Sequence, residues 1–100
     1  MKGMDRDERL KRLWGANNLH LRVILEFYNN RGYIDNMRGM SARLGVAHVT
    51  LKKVVNDLIE LGFLEVIFTG KSKIVRLDER NRITQEVINF IKSVESLSER

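Results

Sequence analysis

The chain has 100 residues and contains neither cysteine nor proline. Without thiols it can form no disulfide framework, thiolate nucleophile or Cys-based zinc or iron-sulfur centre. Without proline, helix ends have to be read from caps, glycines and periodicity. Histidine is almost as scarce: His20 and His48 stand apart, with no carboxylates at ligand spacing, so no metal site is expected. Nowhere do eighteen apolar residues run together, and Met1 to Arg9 is charged where a signal peptide needs an apolar stretch. A soluble, cytoplasmic protein with no membrane contact is expected. No serine or carboxylate stands with a base at a recognisable spacing, so the chain does not read as an enzyme and implies no cofactor. Gly70-Lys71-Ser72 has the ending of a phosphate-binding loop, but Glu65 stands where that motif requires a glycine, which excludes nucleotide binding there.

What is present is the balance of a globular domain, 43% hydrophobic and 31% charged residues. One hundred residues support one core, so a single domain over residues 1–100 is expected. The formal net charge is +5, which favours polyanionic partners. The excess is concentrated in the middle of the chain: residues 37–77 hold seven basic against three acidic side chains, whereas residues 78–100 hold four against five.

Apolar spacing sets the order of elements. Leu10, Leu13 and Trp14 stand at i, i+3 and i+4 before Gly15, so residues 1–16 read as an extension or a short amphipathic helix. Asn17 or Asn18 can cap a second helix with the stripe Leu21, Ile24, Leu25 and Tyr28, ending near Gly32. A second row on that helix, Leu19, Val23 and Phe27, predicts packing on another helix or subunit. After the extended pair Tyr33 and Ile34, Asp35 or Asn36 can cap a helix over 37–44, which a turn at Gly45 closes. From His48 to Leu61 the positions Leu51, Val54, Val55, Leu58 and Leu61 again keep the helical period, with Gly62 past the end. Residues 64–68 and 73–77 are rich in β-branched types and flank a glycine-containing turn, which predicts a hairpin. Asp78 or Asn81 can open a last helix in which Ile83, Val87, Phe90, Val94 and Leu97 form a seam spaced 4, 3, 4, 3, suited to dimerisation.

Residues 40 to 64 carry a resemblance. Met-Ser-Ala-Arg-Leu-Gly-Val-Ala-His-Val-Thr-Leu-Lys-Lys, followed by Leu58, Leu61 and Gly62, is similar to the core motif of winged helix-turn-helix regulators such as the MarR family. The likeness implies a mainly α fold with a small β-hairpin: a three-helix core plus wing over residues 17–78, and a C-terminal dimerisation helix over 79–97. Ser41 is small where two helices would cross, and Gly45 frees the backbone of the turn. In such folds the second helix of the motif enters the major groove. That implies base or phosphate contacts from Lys52 and Lys53, with Asn56 and His48 beside them. Thr50 is placed to reach a phosphate and Val49 a thymine methyl. Arg38 and Arg43 would clamp the backbone, and Lys71, Ser72 and Lys73 would reach it from the wing. Ala47 stands where a capping serine is frequent, and a lysine pair where serine-arginine is frequent. Ligand sensing is not carried over.

The expectation is therefore a sequence-specific regulator of double-stranded DNA, a nucleoid-associated homodimeric repressor. Two alternatives stay open: a low-specificity architectural DNA-binding protein, and a winged domain used for protein contact in a replication or transcription assembly.

Overall fold

The structure is a computed structural model and describes residues 6–15, 18–30, 33–34, 37–70 and 72–98. Five helices and three short strands follow one another as α1 (Arg6–Trp14), α2 (Leu19–Asn29), β1 (Tyr33–Ile34), α3 (Met37–Leu44), α4 (His48–Glu60), β2 (Leu64–Thr69), β3 (Ser72–Leu77) and α5 (Arg82–Ser98). The chain is thus mainly helical with a small antiparallel sheet.

Local chemistry accounts for most of the boundaries. Gly15, with φ +95°, follows α1. The Asn18 side chain accepts the Leu21 N–H at 2.9 Å and caps α2. Both α3 and α4 end in the same device, in which a left-handed glycine turns two N–H groups back onto helix carbonyls. At Gly45 (φ +67°) the bonds run Gly45 N to Ala42 O and Val46 N to Ser41 O. At Gly62 (φ +83°) they run Gly62 N to Ile59 O and Phe63 N to Leu58 O. Asn81 opens α5, its side chain accepting the Ile83 N–H at 2.9 Å. Gly32, Asp35, Asn36 and the alternative cap Asn17 lie outside the described residues.

The hairpin is longer than the spacing predicts: the register runs from Leu64 opposite Leu77 to Thr69 opposite Ser72, leaving only Gly70 and Lys71 between the strands. Tyr33 and Ile34 pair with Arg76 and Val75, so the extended pair is a third strand and the sheet order is β1-β3-β2.

Two apolar clusters meet on α2. Val23 and Phe27 are fully buried with Met40, Leu51, Val54, Val55, Leu58, Phe63, Leu64, Val75 and Leu77, and Leu19 packs against this core. On the other flank Leu21 and Leu25 join Leu10 of α1 and Ile91 and Val94 of α5. The row Leu19, Val23, Phe27 is therefore covered by the chain's own α4 and sheet, so of the two expected partners it packs on another helix and not on a subunit. The α5 seam needs a correction. Val94 is buried against α1 and α2 and Val87 is half-buried, while Ile83, Phe90 and Leu97 remain 41%, 40% and 55% exposed. The inward face of α5 follows Thr84, Val87, Ile88, Ile91 and Val94, a stripe of 3.6-residue period, because α1 and α2 already occupy that side. A polar lock holds the same side: Arg6 donates to Glu95 at 2.8 Å and lies over the Tyr28 ring, and the Tyr28 hydroxyl donates to Glu95 at 2.9 Å. Burial, reinforced by Glu95, pushes the Tyr28 phenol above its usual range, so it stays a neutral donor.

Thr84 is the fully buried polar side chain of this region. Its hydroxyl lies 3.1 Å from Phe63 O and 3.3 Å from Gly62 O, sharing one proton between them and pinning α5 to the α4–β2 turn. Thr84→Val keeps the shape and removes the donor shared by Gly62 O and Phe63 O, the second of which still accepts from the Asp78 N–H, so it should cost about 1 kcal/mol, read as a lower chemical-denaturation midpoint at unchanged slope. Thr84→Ser, which restores the donor, should recover part of the loss; equal loss in both variants would assign the effect to packing instead.

Candidate nucleic-acid interface

The apolar period of α4 decides which of its side chains reach water. With Leu51, Val54, Val55 and Leu58 buried, the helix exposes His48, Val49, Thr50, Lys52, Lys53 and Asn56. Val49 is 65% exposed at the first turn, an apolar group held out in solvent among cations. Ala47 is the N-cap residue (φ −65°, ψ 145°) and contributes no side-chain cap bond. The first-turn N–H groups thus keep their donors directed outward, at the positive end of the helix dipole.

A cleft of about 210 Å³ separates α4 from the sheet. His48, Lys52 and Asn56 line it from the helix and Lys73 from β3, over an apolar floor that includes Met37, Val55 and Val75. Lys52, Lys53 and Lys73 have no acidic partner among the described residues. The hairpin's one acid, Glu65, is on the other sheet face, where it accepts from Arg76 at 2.9 Å and Arg80 at 3.4 Å. The cleft side is therefore positive and the opposite face internally neutralised. Asp57 is the nearest acid along α4, and it is engaged with His20 at 3.0 Å.

The two-helix unit is braced from behind. Ser41 donates its hydroxyl to Val46 O across the turn, and the Arg22 guanidinium donates to Leu44 O at 2.6 Å. The small residue at position 41 thus supplies a hydrogen bond as well as room. Arg43, expected to clamp a phosphate, is tied to Glu26 of α2 at 2.9 Å. Arg38 is exposed on α3, as expected. His48 opens α4 as its first helical residue and does not cap it, since the cap position belongs to Ala47. Lys71 and the side chain of Ser72 lie outside the described residues.

Two features escaped the reading of the sequence. Phe68 is 73% exposed near the hairpin end, on the face that elsewhere packs into the core. The alternation Leu64, Val66, Phe68 marks it as a residue of the inner face, and the fold decides that the helices stop short of it. The second is an apolar groove of about 400 Å³ between α1, α2 and α5, with Trp14, Ile24, Val87 and Phe90 in its walls. Trp14 meets Phe90 edge to face at 5.2 Å.

Among the described residues no three His, Asp or Glu side chains gather as a metal site, and no helix is long and apolar enough to cross a membrane. No protein family, curated protein or solved structure matches the chain.

Proposed function

We propose that this chain is a homodimeric transcriptional regulator of winged helix-turn-helix type that binds double-stranded DNA, with α3 and α4 as the helix-turn-helix and β2–β3 as the wing. The observation that carries the reading is the face of α4: Val49, Lys52, Lys53 and Asn56 point to solvent, and Lys73 faces Lys52 and Asn56 across a cleft that no acid lines among the described residues. A helix presented in this way fits the major groove, where lysine reaches guanine edges or phosphates and an exposed valine meets thymine methyls. Arg38, Thr50 and His48 stand at the margin for the backbone. Arg43 supports α3 through Glu26 rather than clamping a phosphate.

Binding to a mixed duplex pool over a salt series tests this. Four phosphate-binding cations (Arg38, Lys52, Lys53, Lys73) would give a slope of log K against log salt of about −3.6 per protomer. A steep slope with one enriched palindrome is the expected result; absence of binding at low salt would sink the proposal. A steep slope without enrichment would support the architectural reading, which one observation favours: the cations of α4 are lysines, point charges without the bidentate geometry of arginine.

The dimer contact in this proposal is Ile83, Phe90 and Leu97, seven residues apart on the outer face of α5, continued by Leu13 and Trp14, which are also exposed. A stripe with a seven-residue repeat suits a helix from a second copy, and the two-fold would set half-sites about 34 Å apart. Replacing Ile83 and Leu97 together by lysine should convert the dimer to a monomer by light scattering with helix content unchanged, because both side chains already face water. An unmodified chain that is monomeric at every concentration would remove the dimer from the proposal.

A further inference from the structure

We propose that Phe68 is a wedge that enters the minor groove of duplex DNA beside the α4 site and unstacks a base step there; the inference rests on the DNA-binding reading above. Directly opposed residues of a hairpin share a face, so Leu64 with Leu77, Val66 with Val75 and Phe68 with Lys73 form one ladder on the inner side of the sheet. The first two pairs are in the core or packed against it. The third stands about 7 Å farther along the strand, past the cover of the helices. Phe68 is there 73% exposed, the most exposed of the large apolar side chains described. Strand β2 is an edge strand, a place where a bare aromatic invites aggregation unless a partner uses it.

The surroundings identify the partner. Lys73 is the direct cross-strand neighbour of Phe68 and also lines the cleft with Lys52 and His48, so the ring stands beside a cation that belongs to the α4 cleft. Glu65 is turned to the opposite face and satisfied by Arg76. An exposed ring beside unopposed lysines fits a polyanion that also offers apolar faces, and stacked bases beneath phosphates are such a surface. In the proposed arrangement α4 occupies the major groove and the hairpin end would lie over the adjoining minor groove, about 6 Å wide, which admits a side chain and not a helix. Apolar wedges of this kind part a base step and bend the duplex toward the major groove, most easily at TA and CA/TG steps.

The test uses the full chain with an end-labelled duplex carrying 2-aminopurine at TA steps on either side of the site. The unmodified protein should raise the 2-aminopurine fluorescence and shorten the end-to-end distance by energy transfer. Phe68→Ala should abolish both signals and weaken binding roughly ten- to a hundredfold. Phe68→Leu should retain both, since the wedge has to be apolar rather than aromatic. The exposure of the ring predicts that neither variant lowers the melting temperature. If Phe68→Ala binds and bends as the unmodified chain does, the inference fails while the DNA-binding reading stands. A changed oligomeric state in Phe68→Ala with unaltered DNA bending would overturn it in favour of a contact between copies. If the unmodified chain binds no duplex, the underlying reading fails as well.

Discussion

Replacing Lys52 and Lys53 together by alanine should weaken duplex binding by roughly thirty- to twenty-thousandfold, the combined cost of two groove contacts at about 1–3 kcal/mol each. Both side chains are exposed, so folding should be unaffected, because surface substitutions of this kind stay within about 0.5 kcal/mol. The salt dependence separates the two ways in which a lysine can act. If both neutralise phosphates, the slope of log K against log salt should fall by about 1.8 and all sequences should weaken alike. If they read base edges, the slope should hold while discrimination among sequences relaxes. Lys92→Ala, an equally exposed lysine on α5, should change nothing. Affinity within twofold of the unmodified chain for the double variant would remove α4 from the interface.

Much of this surface was legible in the sequence because a helix has one period. Once Leu51, Val54, Val55 and Leu58 are assigned inward, 3.6 residues per turn leaves Val49, Lys52, Lys53 and Asn56 outward. What was not legible depends on contacts between distant elements. Nothing in the spacing of Glu26 and Arg43 indicates an ion pair, since they are 17 residues apart on different helices and meet only after α2 and α3 pack. Phe68 was readable as a strand residue but not as an exposed one, because its exposure depends on where the helices stop covering the hairpin.

The same limit shaped the fold. The sequence shows two apolar rows on α2, but what covers each is decided by distant elements: α4 and the sheet close over Val23 and Phe27, while Leu10, Ile91 and Val94 reach Leu21 and Leu25 from opposite ends of the chain. The a/d spacing of α5 concealed the inward role of Ile91 and Thr84, because half of a heptad seam is also half of a 3.6-period stripe. β1, only two residues long, carries no alternation to read and exists through its pairing with β3. Glycine signals transferred best: Gly15, Gly45 and Gly62 all follow helix ends at positive φ, where L side chains are strained whatever their neighbours.

Gly62 carries the largest single-residue effect on stability expected here. Gly62→Ala should destabilise the chain by roughly 2–3 kcal/mol and lower Tm on the order of 10–20 °C. The first part is backbone strain: at φ +83° a Cβ costs about 1–2 kcal/mol. The second is a collision, because the new Cβ would overlap the Asn81 side-chain amide nitrogen and lie 3.1 Å from its Cγ. Asn81 cannot swing aside freely, since its other amide atom accepts the Ile83 N–H and caps α5, a bond whose loss costs about 1 kcal/mol. One methyl group thus strains the end of α4 and uncaps the start of α5, the helix that Thr84 fastens to the same turn. A double-mutant cycle separates the parts. In an Asn81→Ala background the collision is gone and the cap already lost, so adding Gly62→Ala should cost only the backbone term, a coupling of about 1 kcal/mol. Additive losses would mean that the two residues do not touch, and an unchanged Tm for Gly62→Ala would mean that the chain at position 62 is not held left-handed at all.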